Sequence, residues 1–155
     1  MADLVQAYPA TGERRYAAKL DELLRSWIRA NPIPLDHNGG SDPAWETLCA
    51  GCRFKRTWLE AFFALLPEPA FRDETFAAMF KSMWEHAEFL LRCSTRHSTN
   101  WLVIESQALS CIGLLFPEFL RARLWRGEGL KRLADEIECQ VHPDGAHHKL
   151  PAGGG

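Results

Sequence analysis

Very little in this sequence alternates. Nowhere in its 155 residues does a period-two run of β-branched residues appear, which excludes a core built on sheets. No uninterrupted apolar run is long enough to cross a membrane. The opening MADLVQAYPATGERR has neither an apolar centre nor a small-residue cleavage site, so no signal peptide is expected. Excess charge is also lacking: the formal net charge is -2 and the pI is near 6.3, which gives no global attraction to polyanions. Neither nucleic acid nor membrane is therefore expected as a partner. The five cysteines are odd in number and scattered through helical patterns, unlike a disulfide framework. A Gly-rich phosphate loop, G-x-S-x-G and H-E-x-x-H are all missing, so none of the common motif-borne chemistries is announced. No cofactor is expected.

What remains is helix. With 46% hydrophobic and 25% charged residues, the chain has the composition of a globular protein and the length for a real core. Tyr16, Leu20, Leu23, Leu24 and Trp27 share one face from about Glu13 until Asn31-Pro32 breaks the pattern. NPIPLDHNGGSDP reads as a loop, after which Asp42 stands as an N-cap with Pro43 at the first helical position. The next helix turns Trp45, Leu48, Cys52, Leu59, Phe62 and Leu66 inward as far as Pro67. A third, from Asp73 to Arg92, presents Phe76, Phe80, Met83, Ala87 and Leu90 or Leu91. CSTRHST interrupts it, and Ser98 or Thr99 is placed to cap a fourth helix facing inward with Trp101, Ile104, Ala108, Ile112 and Leu115. After Pro117 the pattern predicts a short helix over 118–125 and a last one over 129–141, the latter buried through Leu130, Leu133, Ala134 and Ile137. The expected class is all-α: short links between consecutive helices, hence antiparallel hairpins, in a single domain over 1–155.

Candidate chemistry is sparse. Cys49 and Cys52 with Cys93 and His97 have spacings compatible with a Cys3His zinc site, but cysteine on a buried helix face is more often a small hydrophobe, and no metal site is assigned. Cys139, His142, His147 and His148 form a second weak cluster. Basic residues gather at Arg53-Lys55-Arg56 and at Arg121-Arg123-Arg126 with Lys131-Arg132, where solvated faces are the plain reading and an acidic ligand the pointed one. The six tryptophans are mostly assigned to the core, a minority to a groove in which a flat ring packs on a sugar. Asn100 falls at a helix start, where its amide either caps or projects into a cleft.

Several blocks, in order, resemble the heparinase II/III-type polysaccharide lyases, in their N-terminal helical domain. They are YPATGERRYAAKLDELLRSWIRANP, DPAWETLCAGCRFKRTWLEAF, HAEFLLR, STNWLVIESQALSCIGLLFPEF and GLKRLADEIECQVHPDGAHHKL. The resemblance implies part of an α/α toroid, incomplete at both ends and followed in the family by a β-sandwich domain. It also implies periplasmic or exported parents and β-elimination on uronate polymers such as heparan sulfate or alginate. In that chemistry an amide on the substrate carboxylate stabilises the enolate-like transition state, and a Tyr or His takes the C5 proton and returns one to the leaving oxygen. Carried over by position, Asn100 neutralises the carboxylate, His86 lies near the reacting centre, and Arg53, Trp45 and Trp101 bind substrate. The family's Tyr-His falls at Gly154-Gly155, and its acidic residue at Lys149, so this chain is expected to be inactive as it stands. The partner implied is an acidic, uronate-containing polysaccharide. Two other readings stay open: a non-catalytic acidic-glycan-binding module, and a helical interaction module that self-associates through exposed helix faces.

Overall fold

The computed structural model describes residues 1–35, 42–68, 71, 73–95 and 100–145. Helix α1 spans Ala2–Thr11 and ends on Gly12, whose φ of 68° lets its N–H close back onto the Tyr8 carbonyl at 2.8 Å. Helix α2, Arg14–Ala30, follows at once and stops before Pro32, as the sequence predicts. Its buried face is Ala17, Leu20, Asp21 and Leu24, with Asp21 accepting a hydrogen bond from the Thr75 hydroxyl.

Asp42 caps as expected, its side chain accepting from the Ala44 N–H at 2.8 Å, but what it caps is a single 3₁₀ turn, Pro43–Trp45. Helix α3, Thr47–Arg53, runs without a break through a π-helical turn, Phe54–Trp58, into α4, Leu59–Leu65. The buried face of this run is Ala50, Gly51, Phe54, Trp58, Ala61, Phe62 and Leu65. The expected face differed: Cys49 and Leu66 are exposed and Cys52 is half-buried. Two causes account for the shift. A Cβ on Gly51 would lie 3.3 Å from the Ile104 carbonyl oxygen of α6, so small residues rather than Leu and Cys make the close contact. Beyond it, the wide π turn advances the helical phase.

Helices α5 (Asp73–Cys93), α6 (Asn100–Leu115) and α7 (Ala122–Gln140) complete the fold. Helix α5 is central and buried nearly all round between Glu85 and Leu90. Phe62 is the hub of one half of the core, meeting Phe76, Phe80 and Phe116 edge-on. Helix α6 runs antiparallel to α7, with Gly113 beside Ala122 and Arg126, and Gly129 beside Ser106 and Ser110. The predicted break between two C-terminal helices is absent. Trp125 is fully buried and donates its indole N–H to Glu88 at 2.9 Å, and the helix continues straight through Gly127 and Gly129. Its buried positions are Ala122, Trp125, Gly129 and Glu136, while Leu130 and Ile137 face outward at 48% and 62% exposure. Glycine at the α6 contact lets the backbones approach, and that closeness sets the rotation of α7 in place of its leucine stripe. All described elements are helical, and consecutive long helices pair antiparallel as expected.

Candidate functional site

Arg53 is the last residue of α3, immediately before the π turn, and its side chain is turned into the space between α2, α3 and α5. Its Nε–H donates to Nε2 of His86 at 2.9 Å. The guanidinium carbon lies 4.1 Å from the Trp27 ring centroid, 5.4 Å from that of Trp45 and 6.0 Å from that of Trp58. These three indoles also surround His86, with centroids at 6.1, 4.9 and 5.7 Å. Each ring is anchored by its own contacts. Trp58 donates to the Ser82 hydroxyl at 3.0 Å, Trp45 donates to the Asn31 carbonyl at 3.2 Å, and Trp27 meets Trp58 edge-on at 5.0 Å.

The electrostatics follow from this cage. Burial, and then the neighbouring Arg53 charge, push His86 down to about 3, against the opposing pull of the Ser82 carbonyl, so the ring is neutral at physiological pH. Burial lowers Arg53 to about 10, with Cys49 and Asp42 acting the other way, so the guanidinium stays charged. Its Nη2 is buried and has no hydrogen-bond partner.

The expected site residues therefore divide into two sets. Arg53, Trp45 and His86 come together, joined by Trp27 and Trp58, which the sequence does not single out as site residues. His86 is wholly buried, with both ring nitrogens occupied, Nε2 by Arg53 and Nδ1 by the Ser82 carbonyl. Trp45 is likewise wholly buried beneath the guanidinium and has no free face for a sugar.

Asn100 and Trp101 form the second set. Asn100 is exposed at the first position of α6, and Trp101 beside it is 39% exposed. No hydrogen bond or ring contact among the described residues ties Asn100 to the Arg53 cluster. Helix α6 packs on α3 where Ile104 lies over Gly51. Lys55, further along the same run, donates to Gln107 of α6 at 2.7 Å, so the two helices advance in the same direction and Asn100 and Arg53 lie on opposite sides of the Gly51–Ile104 contact. Glu105 of α6, fully buried, accepts from the Thr95 N–H at 2.8 Å and the Thr95 hydroxyl at 2.6 Å.

Among the described residues no group of three or more His, Cys, Asp or Glu is placed to hold a metal ion. The Cys49 thiol instead donates to Glu46 at 3.0 Å. His97, His147, His148, Lys149, Gly154 and Gly155, and the capping pair Ser98 and Thr99, lie outside the described residues. No helix among the described residues is long and apolar enough to cross a membrane.

The family model for the heparinase II/III N-terminus matches residues 1–153. The chain belongs to this family. It is 27% identical over 146 residues to a heparin-sulfate lyase of Bacteroides thetaiotaomicron, covering 94% of this chain and 20% of that protein. It is 29% identical over 145 residues to a heparin-sulfate lyase of Pedobacter heparinus, covering 92% of this chain and 21% of that one. Among solved structures, a crystal structure of heparinase III superposes with a TM-score of 0.84 at 26% identity, over 93% of this chain and 21% of the other. The heparan sulfate lyase HepC from Pedobacter heparinus superposes with a TM-score of 0.80 at 27% identity, over 93% and 22%. This heparinase II/III N-terminal chain thus spans about a fifth of the length of these relatives.

Proposed function

We propose that this chain is the acidic-glycan-binding helical part of a uronate polysaccharide lyase, one sector of an α/α toroid acting on heparan sulfate or a related polymer. The observation that carries the reading is the setting of Asn100. Asn100 is an exposed residue at the first position of a sixteen-residue helix, beside a partly exposed indole. A uronate carboxylate placed there meets the Asn100 amide and the positive end of α6 together, and the Trp101 ring offers a flat apolar surface to the adjoining sugar. Drawing charge from the carboxylate makes the C5 proton removable, which is the electrostatic half of a β-elimination. Arg53, on the adjoining helix α3, supplies a fixed positive charge for an acidic chain.

The proton-transfer half has no carrier at the positions where the family's Tyr-His falls, because Gly154 and Gly155 have no side chains. Binding without cleavage is the expected behaviour of the 155-residue chain. Calorimetric titration with heparan sulfate oligosaccharides tests this, with ultraviolet absorbance following any unsaturated uronate product. Absence of heat at millimolar ligand removes the binding assignment, and appearance of product removes the inactivity. Alginate oligosaccharides in the same titration decide whether sulfate is needed.

A second reading has its own observation. Leu130 and Ile137, seven residues apart on one face of α7, form an exposed apolar ridge. A helical interaction module that self-associates would use that ridge.

A further inference from the structure

The Arg53–His86 pair has an unusual charge balance. Arginine has no acceptor, so the 2.9 Å contact requires Nε–H of Arg53 to donate and Nε2 of His86 to offer its lone pair. The ring proton is then on Nδ1, which lies 2.6 Å from the Ser82 carbonyl oxygen and donates to it. Ser82 also accepts from Trp58 through its hydroxyl, so one residue of α5 fixes both the imidazole and the indole beside it. The imidazole therefore has one tautomer and one orientation, and the guanidinium edge bonded to it is fixed in turn.

A core that needed only to accommodate a buried guanidinium would set a carboxylate against it. Here the partner is neutral, and no described carboxylate forms an ion pair with Arg53. Three indole faces stabilise the cation without cancelling its charge. Nη2, on the same guanidinium edge as the Nε–H, is out of solvent and has no acceptor among the described residues. A buried charged donor in that state is destabilising until an oxygen meets it, and most so until that oxygen is anionic.

We propose that His86 is a positioning residue whose Nε2 lone pair locks the Arg53 guanidinium so that Nη2 is presented to an anionic oxygen of an acidic glycan. The shared chemistry is that of a carboxylate or a sulfate oxygen. This rests on the glycan-binding reading above for the identity of the anion, but the lock itself does not. Neutrality of the acceptor is the functional point, because it orients the cation while leaving its charge for the ligand.

The test uses His86→Gln, whose Oε1 can still accept from Arg53, and His86→Leu, which fills similar space and accepts nothing. Nitrogen-detected NMR of the 155-residue chain reads the Arg53 Nε–H and the His86 ring nitrogens. Titration with an alginate tetrasaccharide (carboxylates only) and a heparan sulfate tetrasaccharide (carboxylates and sulfates) reads affinity. The expected result is a slowly exchanging Arg53 Nε–H in the unsubstituted chain and in H86Q, lost in H86L. Binding should be near normal in H86Q and about tenfold weaker in H86L for whichever tetrasaccharide binds. Equal losses in the two variants, or full affinity in H86L, overturn the proposal. If the unsubstituted chain binds neither sugar, the glycan reading falls, and the Arg53 Nε–H alone decides whether the lock exists. If H86L does not fold, the ring proton decides: found on Nε2 in the unsubstituted chain, it overturns the lock, and found on Nδ1, it upholds it.

Discussion

Gly129 on α7 meets Ser110 on α6 across a gap that admits no side chain: a Cβ at position 129 would fall 2.7 Å from the Ser110 amide nitrogen and 2.7 Å from the Ser106 carbonyl oxygen. Both are backbone atoms of a helix and neither can swing aside. Gly129→Ala must therefore push α7 off α6, at an expected cost of roughly 1–3 kcal/mol. Gly127, two residues earlier on the same helix, has nothing within 4 Å of its would-be Cβ. Gly127→Ala should stabilise by about 0.5–1 kcal/mol through helix propensity alone. Urea denaturation of the two variants reads opposite signs from the same substitution, and equal signs would show that the α6–α7 contact is not the one described.

That contact also explains where the sequence was hard to read. Helix α2 was legible to within a residue because Asn31-Pro32 is a local stop signal and its apolar stripe is regular. Helix α7 was not, because apolar periodicity gives weight to Leu130 and Ile137 and none to Gly129, although glycine is what brings two backbones together. The π turn at Phe54–Trp58 is set by tertiary packing and has no composition of its own. At the site, Arg53, Trp45 and His86 were found as residues but not as a cluster. Whether a Trp or His is wholly covered depends on helices that are distant in sequence. The signal that could have joined them is the pairing of Trp27, one turn before a helix stop, with the only Arg on the inner side of α3.

Asn100→Ala should weaken binding of heparan sulfate oligosaccharides by roughly 1.5–3 kcal/mol, the range for a hydrogen bond to a charged group, with little change in stability at an exposed position. Asn100→Asp should weaken it further, since it sets a second negative charge against the carboxylate. Isothermal titration of the three proteins gives the order, and an Asp variant that binds as well as Asn would remove the carboxylate from this position.

Glu105, on the same helix as Asn100, holds Thr95. Removing its side chain leaves the Thr95 N–H and hydroxyl without their acceptor, so Glu105→Ala should cost about 1–3 kcal/mol of stability. Because Glu105 lies on the helix that begins with Asn100, glycan affinity should fall along with the urea midpoint. Affinity unchanged in a destabilised but folded E105A would separate the two roles.

Leu130 and Ile137 test the interaction reading independently of any sugar. If their exposed ridge drives association, replacing both with Glu should convert a concentration-dependent assembly into a monomer in sedimentation velocity. Glycan binding through Asn100 and Arg53 should survive, because neither Leu130 nor Ile137 belongs to the proposed binding site. A monomeric unsubstituted chain at the same concentrations would dismiss self-association.

His86 gives the protein a defined acid sensitivity. Its folded-state value lies at about 3, below the ordinary 6.5, because burial and the Arg53 charge both disfavour the protonated ring. Below pH 6.5 the unfolded chain takes up a proton that the folded chain refuses, so stability falls as pH falls through the window from 6.5 toward about 3. Within it the expected slope from this residue is roughly 1 kcal/mol per pH unit. His86→Gln cannot protonate, so its urea midpoint should fall less steeply with acid than that of the unsubstituted chain. The two curves should run parallel above the window. Parallel curves inside it would mean that the ring protonates in place, and then the Arg53 contact, which depends on the Nε2 lone pair, could not be the one described.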